Sequence, residues 1–303
     1  MALRATEIDA RLVRALVADQ FPQWTGLAVR CMPQSGWDNR TFLLGESMIV
    51  RLPSASGYAA QPHREQRCLH YLRARLPIDI PEPLAFGRPG RGYAWSWSVY
   101  RWIAGDSAAN LPPSEVGQFA EDLANFLNAL RGVCVEGGPE PGRDNFYRGG
   151  RLAVYDEQAR QAIAALGAQI DSAAALSVWE AALATTWSGS PVWVHGDVAL
   201  GNLLLRDGRL AAVIDFGQVC VGDPACDLAI AWTYFRAEHR RAFRARLALD
   251  SSTWQRGRGW ALWKAVVVAA GLVGTSSIEG QHARQTIDEV LHDEACCRKT
   301  YAN

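Results

Sequence analysis

The sequence predicts an α+β chain in two parts, a smaller strand-rich N-terminal part and a larger, mainly helical C-terminal part. Three observations predict it. Short apolar stretches separated by turn signals fill the first third of the chain. Helical periodicity dominates beyond the break at Ala104-Gly105-Asp106. One strand–loop–hairpin, Val192 to Gly217, interrupts the helices and gathers the polar residues best suited to chemistry. The break divides the chain into residues 1–104 and 105–303.

Thr6 is placed to cap a first helix, in which Ile8, Leu12, Leu16 and Val17 form one stripe. Strand-like runs follow at Leu27 to Met32, Thr41 to Leu44 and Met48 to Leu52. A helix is expected from Pro62 to Leu76, and the proline-rich Pro77 to Pro83 makes a rigid connector. Leu84 to Gly87 and Trp97 to Ile103 complete the strands of the first part. Beyond the break, helices are expected at Ser114 to Leu130, Arg151 to Leu166 and Ala173 to Trp187. The Gly/Pro-rich stretch Glu136 to Arg148 between them reads as a surface loop. After the hairpin come helices at Asp227 to Arg236, Arg240 to Leu249, Trp254 to Gly274 and Gln281 to Cys297.

Within the hairpin, Asp207-Gly208 is a strong two-residue turn signal, because both residues tolerate positive φ. Counting outward from it pairs Arg206 with Arg209 and Asn202 with Val213. Asp215 then lies on the face of Val213, diagonal to Asn202, where backbone separations are roughly 7–8 Å. Two polar side chains at that spacing are able to converge on one ion. Magnesium favours oxygen ligands and usually takes one or two carboxylates beside phosphate oxygens. Asp197, five residues before Asn202 and just past the apolar strand Val192 to Val194, is placed to receive the proton of a hydroxyl.

Composition narrows the class. The chain has 303 residues, with 31 basic and 31 acidic side chains, and a balanced charge argues against a broad nucleic-acid footprint. Lysine is nearly absent: Lys264 and Lys299 are the two present, against a large excess of arginine. Seven scattered cysteines form no framework and read as free thiols of a reducing cytosol. No paired CxxC units point to zinc, and His292 with Cys296 and Cys297 reads as a helix end. The N-terminal amphipathic stretch, with acids interspersed, is no secretory signal. The most apolar run, Ala265 to Val273, falls far short of the about 20 residues that span a bilayer. A soluble cytoplasmic protein is therefore expected, with no nucleic-acid, membrane or obligatory protein partner.

His195-Gly196-Asp197, Asn202, Ile214-Asp215-Phe216-Gly217 and Gly222-Asp223-Pro224-Ala225-Cys226-Asp227-Leu228 together resemble the aminoglycoside phosphotransferase family, whose fold is protein-kinase-like and two-lobed. The resemblance is strong over 192–230, moderate over 35–105 and weak elsewhere. It implies a kinase that transfers the γ-phosphate of ATP, with GTP open as donor, to a hydroxyl of an aminoglycoside-type antibiotic. Asp197 takes the role of the catalytic aspartate, and Asn202 and Asp215 those of the Mg2+ ligands. His195, Asp223 and Asp227 are assigned to shaping the catalytic loop or touching the acceptor, Asp227 mainly to holding the loop. Asp223-Pro224 follows Gly217 so closely that no regulated activation segment fits, which argues against a protein kinase.

On the nucleotide side the resemblance puts Ser35, Gly36 and Asn39 in the loop that covers the phosphates. Arg51 stands where kinases carry a phosphate-pairing lysine, keeping the charge and adding a planar fork. Glu65 resembles the helix glutamate that holds this basic residue. An independent argument agrees: Leu69, Leu72 and Leu76 place Glu65 on an apolar stripe, where a carboxylate needs a partner. Ser98 to Ile103, with Tyr100 and Trp102, resembles the hinge whose backbone meets the purine. The acceptor is less determined. Polycationic aminoglycosides call for clustered acids, and Glu238, Asp250, Glu279, Asp288, Glu289, Asp293 and Glu294 are the candidates. Trp232, Trp254, Trp260 and Trp263 equally suit an apolar macrolide. A macrolide or small-metabolite kinase, and a non-catalytic nucleotide-binding protein, are the competing functions.

Overall fold

A computed structural model describes residues 7–32, 38–273 and 276–301, with the side chains of 113, 277 and 297–301 left aside. Helix α1 (Ala10–Gln20) starts at Asp9, whose side chain accepts from the Leu12 N–H. The expected cap, Thr6, lies outside the described residues, as do Ser35 and Gly36.

A five-stranded antiparallel sheet follows, built from β1 (Val29–Cys31), β2 (Asn39–Leu44), β3 (Met48–Pro53), β4 (Pro83–Gly87) and β5 (Trp97–Arg101). Its order is β1-β2-β3-β5-β4. One hydrophobic cluster seals it against α1, with Val13, Leu16 and Val17 meeting Phe42, Leu44, Val50, Leu52, Trp97 and Val99. Helix α2 (Gln61–Leu72) crosses on the opposite side. It stops short of the expected Leu76, because the residue before Pro77 is biased away from helical geometry and the chain turns through Arg75 N–H to Leu72 O.

The inner residues of α2, Cys68, Leu69 and Leu72, belong to a second and larger core. That core is formed by α3 (Val116–Arg131), α4 (Asp156–Leu166), α5 (Ser172–Leu183), α6 (Ile230–Thr233), α7 (Ala237–Leu247), α8 (Ser251–Ala269) and α9 (Ser277–Tyr301). Helix α8 is buried on nearly every face, and Asp250 caps its start by accepting from the Thr253 N–H. The helix expected from Asp227 is preceded instead by a 3-10 turn, Pro224–Ala229, capped by Asp223. Among the described residues no helix is long and apolar enough to cross a membrane.

Two small sheets contribute Trp193, Val194, Leu203, Val213 and Cys220 to the larger core. The tiny β6 (Asp106–Ser107) pairs with the hairpin of β8 (Leu203–Arg206) and β9 (Arg209–Val213), and β7 (Val192–Val194) pairs with β10 (Cys220–Gly222). The hairpin turn is as expected, Asp207 and Gly208 having φ of 52° and 73°. Its register is not. A bulge between Leu204 and Leu205 leaves Ala211 as an extra residue, so Leu203, not Asn202, opposes Val213. The cause is the 77–83 connector: the Asp79 N–H donates to Ala211 O, and Asp79 O accepts from the Val213 N–H. A third strand of contact thus bends β9, and Asn202 O receives the Ile214 N–H instead.

Candidate active site

The loop after β7 carries His195, Gly196 and Asp197, and a buried carboxylate shapes it. Asp227, 4% exposed, accepts from the His195 N–H at 2.9 Å and the Gly196 N–H at 2.8 Å. Burial pushes the Asp227 carboxyl up, a shift the His195 side chain and the two amides partly offset. His195 is fully buried, with Nε2 at 3.1 Å from Ile214 O and Nδ1 receiving the Asp197 N–H at 3.2 Å. Those two partners assign the proton to Nε2, because Nδ1 must accept. Gly196, at φ 87°, is required: a Cβ there would stand 2.7 Å from Gln218 O.

Asn202 closes the loop. Its Nδ2 donates to Asp197 O at 3.0 Å and to Asp197 Oδ2 at 3.2 Å. The Asp197 side chain keeps 27% exposure and faces the Lys264 ammonium of α8 at 3.6 Å. Burial alone would raise its pKa, but Lys264, then Arg148 and His195, more than offset this and hold the carboxyl below its ordinary value. Neither Lys264 nor Arg148 was singled out from sequence. A signal was present, since Lys264 is a lone charge inside the apolar run Trp260 to Val268.

The other half of the site is a chain of ionic contacts. Arg51 on β3 binds Glu65 of α2 through Nη1 at 3.0 Å and Asp215 through Nη2 at 2.7 Å. Glu65 Oε1 also accepts from the Phe216 N–H at 3.0 Å, and Oε2 from the Tyr100 hydroxyl at 2.6 Å. Asp215 itself sits at φ 67°, in the left-handed region, a strained setting held by these partners. Burial first and the Asp215 charge second push the nearby Asp38 carboxyl up to about 6.

The structure thus joins Asp197 to Asn202, and Arg51 to Glu65 and Asp215. Among the described residues no side-chain bond links the two groups. Asn202 Oδ1 forms no hydrogen bond among the described residues, and the Asp215 side chain keeps 21% exposure. An amide oxygen and a single carboxylate are hard donors of the kind Mg2+ takes beside phosphate, so the residues fit that ion.

Several other expected residues make contacts within the protein. Asn39 is buried and its Nδ2 reaches Gln61 Oε1 at 3.5 Å. Tyr100 turns its side chain inward to Glu65. In the segment expected to meet the purine through its backbone, the Trp102 N–H donates to Ser47 O at 2.8 Å. Asp223 is bound by the fork of Arg256, at 2.6 and 3.3 Å, and supports the core. Three of the candidate acids pair with arginines: Asp293 binds Arg240 and Arg258, Glu289 binds Arg240 and Glu294 binds Arg258. Trp232, Trp254 and Trp260 are each 1% exposed and belong to the core.

The two-lobed, kinase-like α+β fold is that of solved phosphotransferases. The chain belongs to the phosphotransferase enzyme family, whose model matches residues 32–260. An uncharacterized Bacillus subtilis (strain 168) protein, YcbJ, is 25% identical over 210 residues, 63% of this chain and 64% of that one. An aminoglycoside 3'-phosphotransferase of Escherichia coli is 26% identical over 170 residues, 51% of this chain and 57% of that one. The chain therefore spans less than two thirds of either curated relative. Among solved structures, the GDP and kanamycin complex of an aminoglycoside 2''-phosphotransferase superposes with a TM-score of 0.74, at 18% identity over 93% of this chain and 99% of that one. A macrolide 2'-phosphotransferase from Brachybacterium faecium, solved as apoenzyme, gives 0.60, at 20% identity over 92% and 97%.

Proposed function

We propose that the chain is a small-molecule kinase that moves the γ-phosphoryl group of ATP or GTP to a hydroxyl. The observation that carries this reading is the single hydrogen-bonded turn holding Asp197 and Asn202, set across from the Arg51–Glu65–Asp215 chain. Residues 1–104 supply the nucleotide side and residues 105–303 the catalytic loop and acceptor side.

In this reading Asp197 orients the acceptor hydroxyl and receives its proton. Arg51, held by Glu65, meets phosphate charge with a planar fork. Mg2+, when held by Asn202 and Asp215, supplies charge neutralisation at the transferring phosphate. Asp227 and His195 act on the reaction only through the loop they fix. Catalysis is then positioning and electrostatics, with little covalent chemistry left to the protein. The names of relatives support aminoglycoside and macrolide acceptors, and a cytoplasmic location accords with six free cysteines among the described residues.

Asp197→Ala is the direct test. Phosphoryl transfer is expected to vanish while nucleotide binding, followed by calorimetry, persists. Turnover retained in the variant removes Asp197 from this role.

A further inference from the structure

We infer that the acceptor carries an anionic group, a carboxylate or a phosphate ester, which docks on Lys264 and Arg148 beside Asp197. This rests on the kinase reading and narrows its substrate class.

Three observations carry it. The first is the charge next to Asp197. The Lys264 ammonium stands 3.6 Å from that carboxylate, and Arg148 is the next cation whose charge acts on it. Among the described residues, neither Lys264 nor Arg148 has a hydrogen bond or ion pair with any other acid. With Asp197 at −1, the wall carries a net +1 toward the acceptor.

The second is that Arg148 is built into place. Its carbonyl accepts from Asn145 Nδ2 at 3.1 Å and from the Cys220 thiol at 2.9 Å, and its Nε donates to Gln218 Oε1 at 3.0 Å. Its guanidinium lies 5.0 and 5.1 Å from the rings of Trp260 and Trp263. The terminal nitrogens are left without hydrogen bonds among the described residues. The loop that presents it is strained, with Phe146 and Tyr147 at φ 53° and 52°, consecutive left-handed residues without a glycine. Buried Asn145 and the Tyr155 hydroxyl, which donates to Phe146 O at 2.8 Å, hold that strain in place. Such strain persists where the surroundings over-determine it, which marks sites of function.

The third is where the acids are. A polycation would need carboxylates facing Asp197. Glu289, Asp293 and Glu294 instead neutralise Arg240 and Arg258, Asp250 caps α8, Glu279 accepts from the Ser276 N–H and hydroxyl, and Glu238 and Asp288 are exposed. None of them bonds Asp197, Arg148 or Lys264.

On this reading the acceptor's anion replaces Asp197 as the partner of Lys264 and takes the free edge of Arg148. Its hydroxyl then lies against the released carboxylate. The hydroxyl oxygen bonds to the γ-phosphorus, the bond to the β–γ bridging oxygen breaks, the nucleoside diphosphate leaves, and the hydroxyl proton passes to Asp197.

The test is a steady-state acceptor panel with saturating magnesium and nucleotide. Its arms are hydroxycarboxylates, sugar phosphates, polycationic aminoglycosides and neutral polyols. The wild type is expected to show its highest kcat/KM in an anionic arm, and the better of those two arms identifies the anion. Lys264 is half exposed, so Lys264→Met is compatible with folding. The variant is expected to raise KM for the anionic acceptor by roughly tenfold or more with kcat nearly kept, as loss of a bond between charged groups implies. Transfer to aminoglycosides or polyols with neither anionic arm used overturns the inference and leaves the kinase reading standing. A Lys264→Met loss of kcat that is equal for every acceptor also overturns it, by showing that the lysine only positions Asp197. Phosphorylation of nothing in the panel overturns both, and turnover insensitive to Asp197→Ala overturns the reading itself.

Discussion

The Glu65 carboxylate on α2 accepts the main-chain N–H of Phe216, 151 residues away, at 3.0 Å. The same oxygen holds Arg51, and the other oxygen takes the Tyr100 hydroxyl. One buried side chain thus ties the sheet, the crossing helix and the start of the DFG segment together.

Glu65→Gln is expected to lower kcat/KM by roughly tenfold or more, since one bond to a charged group is worth about 1.5–3 kcal/mol. The loss should be expressed mainly in KM for the nucleotide. Tyr100→Phe leaves the Arg51 pair intact and should cost less. Equal kinetics for Glu65→Gln and wild type would detach this carboxylate from nucleotide handling.

Asp227→Ala strands the buried His195 and Gly196 N–H groups. Each unsatisfied amide costs about 1–3 kcal/mol, so thermal unfolding should fall by several degrees, together with activity. A melting temperature unchanged by the substitution, read by calorimetry, would show that another group caps the loop.

Gly87→Ala tests packing at the edge of the sheet. A Cβ there would stand 2.0 Å from the fully buried Trp97 ring. Overpacking of this kind costs about 1–3 kcal/mol, and the urea midpoint is expected to drop accordingly.

Asp293 gives the pH dependence. Burial raises its pKa, but Arg258, the Trp232 N–H and Arg240 more than compensate and hold it below the usual carboxylate range. Glu289 and Glu294 on the same helix share those arginines. A depressed folded pKa contributes stability above the unfolded value of about 3.9, and that contribution is lost as pH falls through the folded value. Asp293→Asn should therefore be about 2 kcal/mol less stable than wild type at neutral pH, with the gap closing below about pH 4. A gap independent of pH would assign its effect to shape rather than charge.

Much of this was legible from local chemistry. The Asp207-Gly208 turn dictated a hairpin, and a carboxylate on the Leu69–Leu72 stripe demanded a cation, found in Arg51. The hairpin register was not legible, because the bulge at Ala211 answers to Asp79, more than a hundred residues upstream. Asn39 was assigned to the phosphate-covering loop and Tyr100 to the hinge by resemblance. Their side chains turn to Gln61 and Glu65, a choice set by burial that no local pattern encodes. Arg148 was hidden for the opposite reason. It ends a Gly/Pro-rich stretch that reads as plain surface loop, and only Asn145, Cys220 and Gln218 give it an address.

Asp79 has a mechanical consequence. Its neighbour Ile80 lies in the larger core with Leu203, Leu210 and Val213, so the Asp79 bonds to Ala211 and Val213 rivet the 77–83 connector to that core. A jaw-like gape that lifts the sheet off the hairpin ruptures the Arg51–Asp215 and Glu65–Phe216 contacts while the connector stays riveted to the helical side.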